Sequence, residues 1–206
     1  MGHVSPPRFL TMHALRIKGF AKTDVLVEMT SLDDSDVQQH LSALAAAGHA
    51  LFREPRQLWQ LTPDGKAAHV DELRADMEAC GGASQLADRY HEFLHLNDQF
   101  KHLCGDWQLR EGAPNDHSDA GYDRDVIARL AALHGEALPI VSSLGERIAR
   151  MQPYAPRLDL VCQRVHDGET NMFTGVMCGS YHDVWMELHE DLILSQGIDR
   201  AAEGSF

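Results

Sequence analysis

Nowhere in the 206 residues does an apolar run approach the ~18 residues that a membrane-spanning helix requires. The start, MGHVSPPRFL, lacks the charged-then-apolar pattern of a secretory leader, so the chain is expected in the cytoplasm and off the membrane. Cysteine is sparse. Cys80, Cys104, Cys162 and Cys178 are scattered and form no CxxC pair, which points to reduced thiols rather than a disulfide framework. Cys80 and Cys104 read as buried small residues, with thiol sensors as the other reading. No GxGxxG or GxxxxGK[ST] run is present to cradle phosphates, and no GxSxG elbow to present a nucleophile. With no catalytic constellation and no cofactor motif, neither enzymatic activity nor a cofactor is expected.

Cations are also few. The net charge is −13, and it is unevenly spread. Residues 1–75 carry eight Lys/Arg against nine Asp/Glu, whereas residues 76–206 carry ten against twenty-two. An acidic second half argues against wrapping nucleic acid or an anionic membrane, and leaves the near-neutral first half as the place for DNA contact.

That first half is clearly punctuated. PRFLTMHALRIKG puts Leu10, Ala14 and Ile17 on one face and stops at Gly19, as a helix does. Thr23 is expected to cap a short second helix over DVLVEMTS. SLDDSDVQQHLSALAAAGH puts Val37, Leu41 and Leu44 on one stripe and ends at Gly48. Two strand-like runs follow on either side of Glu54-Pro55-Arg56, a hairpin pattern. Thr62 then reads as the cap of a further helix, with Pro63 at its first position.

The order helix, helix, helix, hairpin, helix, with the run VQQHLSALAAAGHALFRE and the element LTPDGKAAH, resembles the MarR-type winged helix-turn-helix of bacterial transcription regulators over residues 9–73. The resemblance implies a winged-helix domain at 8–79 that reads the major groove of double-stranded DNA with its third helix. On that likeness the base-facing positions are Ser35, Gln38, Gln39 and His40. Arg53 and Arg56 would hold phosphates from the wing, helped by Lys18 and Lys22. Asp34 and Asp36 depart from the family's usual basic or small polar residues. With Asp33 they read as helix-capping residues that complement the dipole, or as acceptors toward cytosine. So thin a basic footprint implies a homodimer on a two-fold site.

Beyond Cys80-Gly81-Gly82 the pattern is helical: residues 84–109, 122–151 with a kink before Pro139, 157–166 and 180–195, with a polar loop at REGAPNDHSDAG. Four helices on short links suggest a bundle over 83–200, and hence a mainly α chain. LNDQFKHLCGDWQLR, NDHSD and YHDVWMELHEDL resemble a helical module that accompanies phosphoenolpyruvate-utilising enzymes of the pyruvate phosphate dikinase type. This likeness implies a role as a non-DNA-binding accessory module as the alternative to regulation.

HEFLH at 91–95 matches the zinc-protease pattern. At 100° per residue, however, His91, His95 and His102 fall on an arc about 180° from Phe93, Leu96, Phe100 and Trp107. The stripe therefore reads as a solvated face, with an interfacial metal site as the lesser reading, and no metal is expected. On the last helix, His182 and His189 fall inside the apolar arc beside Tyr181 and Trp185, while Asp183, Glu187 and Glu190 take the far face. With Trp107, those four residues are the candidates for a small-molecule effector pocket, or else they are core.

Overall fold

The computed structural model describes residues 2–198. Among them the fold is mainly helical, with nine α-helices and two short antiparallel strand pairs. No helix among the described residues is long and apolar enough to cross a membrane.

Prolines 6 and 7 open α1 (Pro7–Lys18), where a missing N–H costs nothing. α2 (Thr23–Thr30) and α3 (Asp34–Ala46) follow on short turns. Thr23 is not the cap of α2. It is the first helical residue, and Lys22 occupies the cap position without a side-chain bond. After α3, Gly48 takes the left-handed φ of +75° and lets His49 N–H close on Leu44 O at 2.8 Å. β1 (Ala50–Arg53) and β2 (Leu58–Leu61) pair antiparallel around a tight turn at 54–56, with Ala50 opposite Leu61. Thr62 caps α4 (Pro63–Ala79) as expected, its hydroxyl accepting from Gly65 N–H. Met12, Leu15, Leu26, Val37, Leu41 and Leu44 form the core beneath these elements.

α4 ends before Gly81-Gly82, both at positive φ, and α5 (Ser84–Gln108) begins. The loop expected to be irregular contains a minimal strand pair, β3 (Leu109–Arg110) with β4 (Ala113–Pro114). α6 (Ala120–Arg147) is continuous through Pro139 and stops short of the expected 151, where residues 149–151 tighten into a 3-10 turn. α7 (Tyr154–His166) starts three residues early. A short α8 (Asn171–Thr174), which carries too little periodicity to be read from sequence, precedes α9 (Tyr181–Gln196). Residues 199–200 of the 83–200 segment lie outside the described residues.

Two cores are present: the smaller lies within the first half of the chain, whereas the larger draws on both halves. Phe9 of α1 and Leu73 and Met77 of α4 belong to the larger core with α5, α6, α7 and α9. α9 thus packs on α5, α7 and α8 and also on α1 and α4. The N-terminal arm adds a further seam, with His3 N–H donating to Arg147 O at 3.0 Å and Ala149 N–H to His3 O at 2.9 Å.

Gly65 is where the first turn of α4 crosses the chain after α3. A Cβ there would lie 1.9 Å from His49 O, a backbone atom that cannot step aside cheaply. Gly65→Ala is therefore expected to lower stability by about 1–3 kcal/mol, the usual cost of overpacking, read as a fall in urea midpoint at unchanged slope.

Candidate nucleic-acid interface

Ser35, Gln38 and Gln39 lie exposed on the N-terminal half of α3, and His40 is half-exposed beside them. α3 presents these residues because Val37, Leu41 and Leu44, fully buried, fix its opposite face. Arg53 and Arg56 are exposed at the end of β1 and in the hairpin turn. Neither arginine, nor Lys22, makes an ion pair among the described residues, so these cations are free for an anion.

Two features limit the surface. The Asp34 carboxylate accepts a hydrogen bond from the Gln38 amide one turn on, so Gln38 must leave an aspartate to reach a base edge. Asp33 sits at the cap position of α3 without a side-chain cap bond, and Asp34 and Asp36 occupy the first turn, where their charge favours the helix dipole. Lys18 does not face outward. Its Nζ lies 2.5 Å from Glu187 Oε1 on α9, which removes it from the phosphate-contacting set. Arg16 is likewise held by Glu190 at 3.1 Å.

Those pairs belong to a polar seam that sequence reading missed. Glu187 is buried rather than on a solvent face, because α7 and α1 bring cations to it: Arg157 Nη2 donates to its Oε2 at 2.8 Å, opposite Lys18. Arg157 also reaches Glu28 of α2 at 3.1 Å. One turn further, Asp191 is 1% exposed. Its carboxylate accepts from the Arg150 guanidinium, from Tyr154 OH at 3.2 Å and from Ser195 Oγ at 2.9 Å, and lies 3.0 Å from His13 Nε2. Arg150 in turn donates to Ser195 Oγ at 2.7 Å and approaches Asp76 of α4 at 3.5 Å. Asp76 is held from the other side by His3 at 2.7 Å and Ser5 at 3.0 Å. His13 Nδ1 meets His69 Nε2 at 2.9 Å, with the two rings stacked 5.1 Å apart.

The electrostatics follow from burial and pairing. Burial alone would raise Asp191, but Arg150 and His13 outweigh it and hold the carboxyl well below its usual range. Burial also opposes the charge on Arg150, and Asp191 and Asp76 restore it and raise its pKa. His69 is pushed down to about 3, first by burial and then by His13, so it is neutral at physiological pH.

The residues proposed for an effector pocket lie elsewhere. Tyr181, Trp185 and Trp107 are buried, with Trp185 against Phe93 at 4.8 Å and Phe100 at 4.9 Å, and Trp107 against Phe173 at 4.9 Å. The Trp185 indole donates to Asn97 Oδ1 at 2.9 Å. His189 is buried against Phe93 and Tyr90. Of the five, His182 lines an open groove, beside Met186 and Ile17. The others fill the interior, because Tyr90, Phe93 and Phe100 of α5 cover the aromatic face of α9. His91, His95 and His102 are exposed, opposite the buried face of α5, and no group of three or more His, Cys, Asp or Glu among the described residues is arranged to hold a metal ion. Burial pushes the half-buried Cys104 thiol up to about 12, which leaves almost no thiolate at neutral pH.

Neither a known protein family, nor a curated protein, nor a solved structure matches the chain.

Two predictions test the seam. Arg150→Met leaves Asp191 and Asp76 buried without their cation and is expected to cost about 3–5 kcal/mol, whereas Arg74→Ala, at an exposed pair with Asp71, changes stability by less than about 1 kcal/mol. Urea titration of the two variants decides this. For His69 the folded pKa lies below the unfolded one, so the unfolded chain binds more protons between the two values. Stability is then complete above pH 6.5 and is lost as pH falls toward 3, by up to about 1.4 kcal/mol per unit. Asp191 adds to the loss only below its ordinary 3.8. His69→Gln should flatten the dependence between pH 6.5 and 4.5; an unchanged slope would rule out His69 as its source.

Proposed function

We propose that this protein is a DNA-binding transcriptional regulator of the winged helix-turn-helix kind, acting as a homodimer. Its helical second half would join the protomers and sense a ligand or partner. The observation that carries the reading is the pairing of one exposed helix face with one cationic turn. Ser35, Gln38, Gln39 and His40 share the accessible side of α3, and Arg53 and Arg56, with no ion pair among the described residues, stand on the adjoining hairpin. Amides and hydroxyls on a helix suit base edges in the major groove, and arginines on a flanking hairpin suit the phosphates beside it. With so few free cations, each monomer would bind weakly, and two copies at a fixed spacing supply the rest.

A specific observation favours a second reading. Asp34 holds Gln38, Asp36 stands beside it, and Lys18 and Arg16 are spent on α9. A surface of that charge suits a protein partner, and the same elements would then serve as an interaction platform for an accessory module, in line with the likeness to segments that accompany phosphoenolpyruvate-utilising enzymes.

Selection of bound fragments from genomic DNA of the source organism, followed by anisotropy titration of a recovered site, separates the two. Regulation predicts a two-fold site whose affinity falls steeply with added salt. Arg56→Ala should weaken binding to all sequences and lower the salt slope by about one, while Gln39→Ala should cost about 1–3 kcal/mol and relax preference at one base pair. Recovery of nothing above background at low salt would refute DNA binding and leave the platform.

A further inference from the structure

A cavity of about 550 Å³ opens between α4 and the C-terminal end of α9. Its walls are largely apolar, with Val70, Leu73 and Met77 from α4 and Leu194 and Ile198 from the far side, and Glu78, Ser195 and Gln196 also border it. That volume lies within the range of small-molecule sites, which combine apolar walls with a few placed polar groups. The placed group here is His69, which lines the cavity although it is only 1% exposed. Its Nε2 is engaged by His13, and its Nδ1 has no hydrogen-bond partner among the described residues.

The direction of the hydrogen bonds fixes what His69 can accept. Asp191 is a carboxylate already receiving protons from Arg150, Tyr154 and Ser195, so the ring nitrogen of His13 beside it donates. With both imidazoles neutral, His13 Nδ1 then accepts from His69 Nε2–H, which leaves a bare lone pair on Nδ1 of a residue that lines the cavity. Arg16 and Arg74 also border the cavity, but Arg16 is engaged by Glu190 and Arg74 by Asp71, so an anion has no unpaired cation waiting for it.

We infer that this cavity is a binding site for an apolar small molecule carrying a hydroxyl, which donates to His69 Nδ1 and extends the chain His69–His13–Asp191 by one link. The site would supply the sensing function of the regulator reading, yet it rests on the cavity and the histidine pair alone. A protein that takes the hydroxyl compound and recovers no DNA would remove the regulator and leave this inference standing.

The test is equilibrium dialysis of the full chain at pH 8 with 2-naphthol and with 2-methylnaphthalene, a pair alike in shape in which only the first donates a hydrogen bond. A site built to satisfy a buried acceptor should favour 2-naphthol by about tenfold, the usual worth of one such bond. Val70→Trp fills the cavity from a position that is 54% exposed, so it leaves folding intact and should abolish binding of both probes. His69→Phe keeps the ring and removes the acceptor, and should erase the preference while retaining the hydrocarbon. Equal binding of the two probes to the native chain, or 2-naphthol binding that survives Val70→Trp, would overturn the inference even if His69→Phe failed to fold.

Discussion

The buried carboxylate of Asp191 constrains the whole arrangement. An ionised group at 1% exposure has lost its water and must be satisfied entirely by protein. Its partners come from four places: His13 on α1, Arg150 in the 149–151 turn, Tyr154 at the start of α7, and Ser195 one turn along α9 itself. Asp76 draws α4 and the N-terminal arm into the same set through Arg150. Such a cluster contributes little net stability over an apolar equivalent, since desolvation offsets most of the attraction. Its effect is on uniqueness: if α1 and α4 slid along α9 by one turn, several charges would be buried without partners at once.

The seam also explains how the acidic balance of the chain is distributed. Arg16 and Lys18, at the end of α1, face α9 and are matched by Glu190 and Glu187. Arg157 bridges Glu187 and Glu28, tying α7 to α2. Cations that the local sequence offers to a polyanion are therefore consumed in joining the two parts of the molecule. Among the described residues, Lys22 and the hairpin's Arg53 and Arg56 are exposed cations with no ion pair. Any nucleic-acid contact would have to be built on those few groups and on uncharged side chains of α3.

Elements with local punctuation were legible in the sequence. α1, α3, β1, β2 and α4 carry their own stops and caps, namely Gly19, Gly48, the 54–56 turn and Thr62, and each of these acts within one turn of its neighbour. The histidine face of α5 was legible for the same reason, because helical spacing alone puts His91 and His95 opposite Phe93 and Phe100. α9 was half legible. Its apolar arc, Trp185, Leu188 and Leu192, was readable, but its polar stripe Glu187, Asp191 and Ser195 looks like a solvent face on any helical projection. It is buried because the helix is enclosed on both sides, and the partners that compensate it lie up to 178 positions away. The one local sign is Ser195, small and one turn past Asp191, where a solvent face has no need of it.

The cavity beside His69 shows how the two levels combine. Its walls come from the apolar stripe of α4, whose Leu73 and Met77 also enter the larger core, so the cavity floor is part of the packing that orients α4. The hydrogen-bond chain runs from that wall through α1 to the centre of α9, and α1 packs directly on α3. A molecule in the cavity can bias the position of α3 only by the difference in its affinity for two arrangements of this chain. A close-packed core moves between discrete arrangements rather than deforming smoothly, and buried charges that tolerate few pairings sharpen that discreteness. The seam therefore holds the protein in one geometry, and it is also the element through which an occupied cavity would have to act.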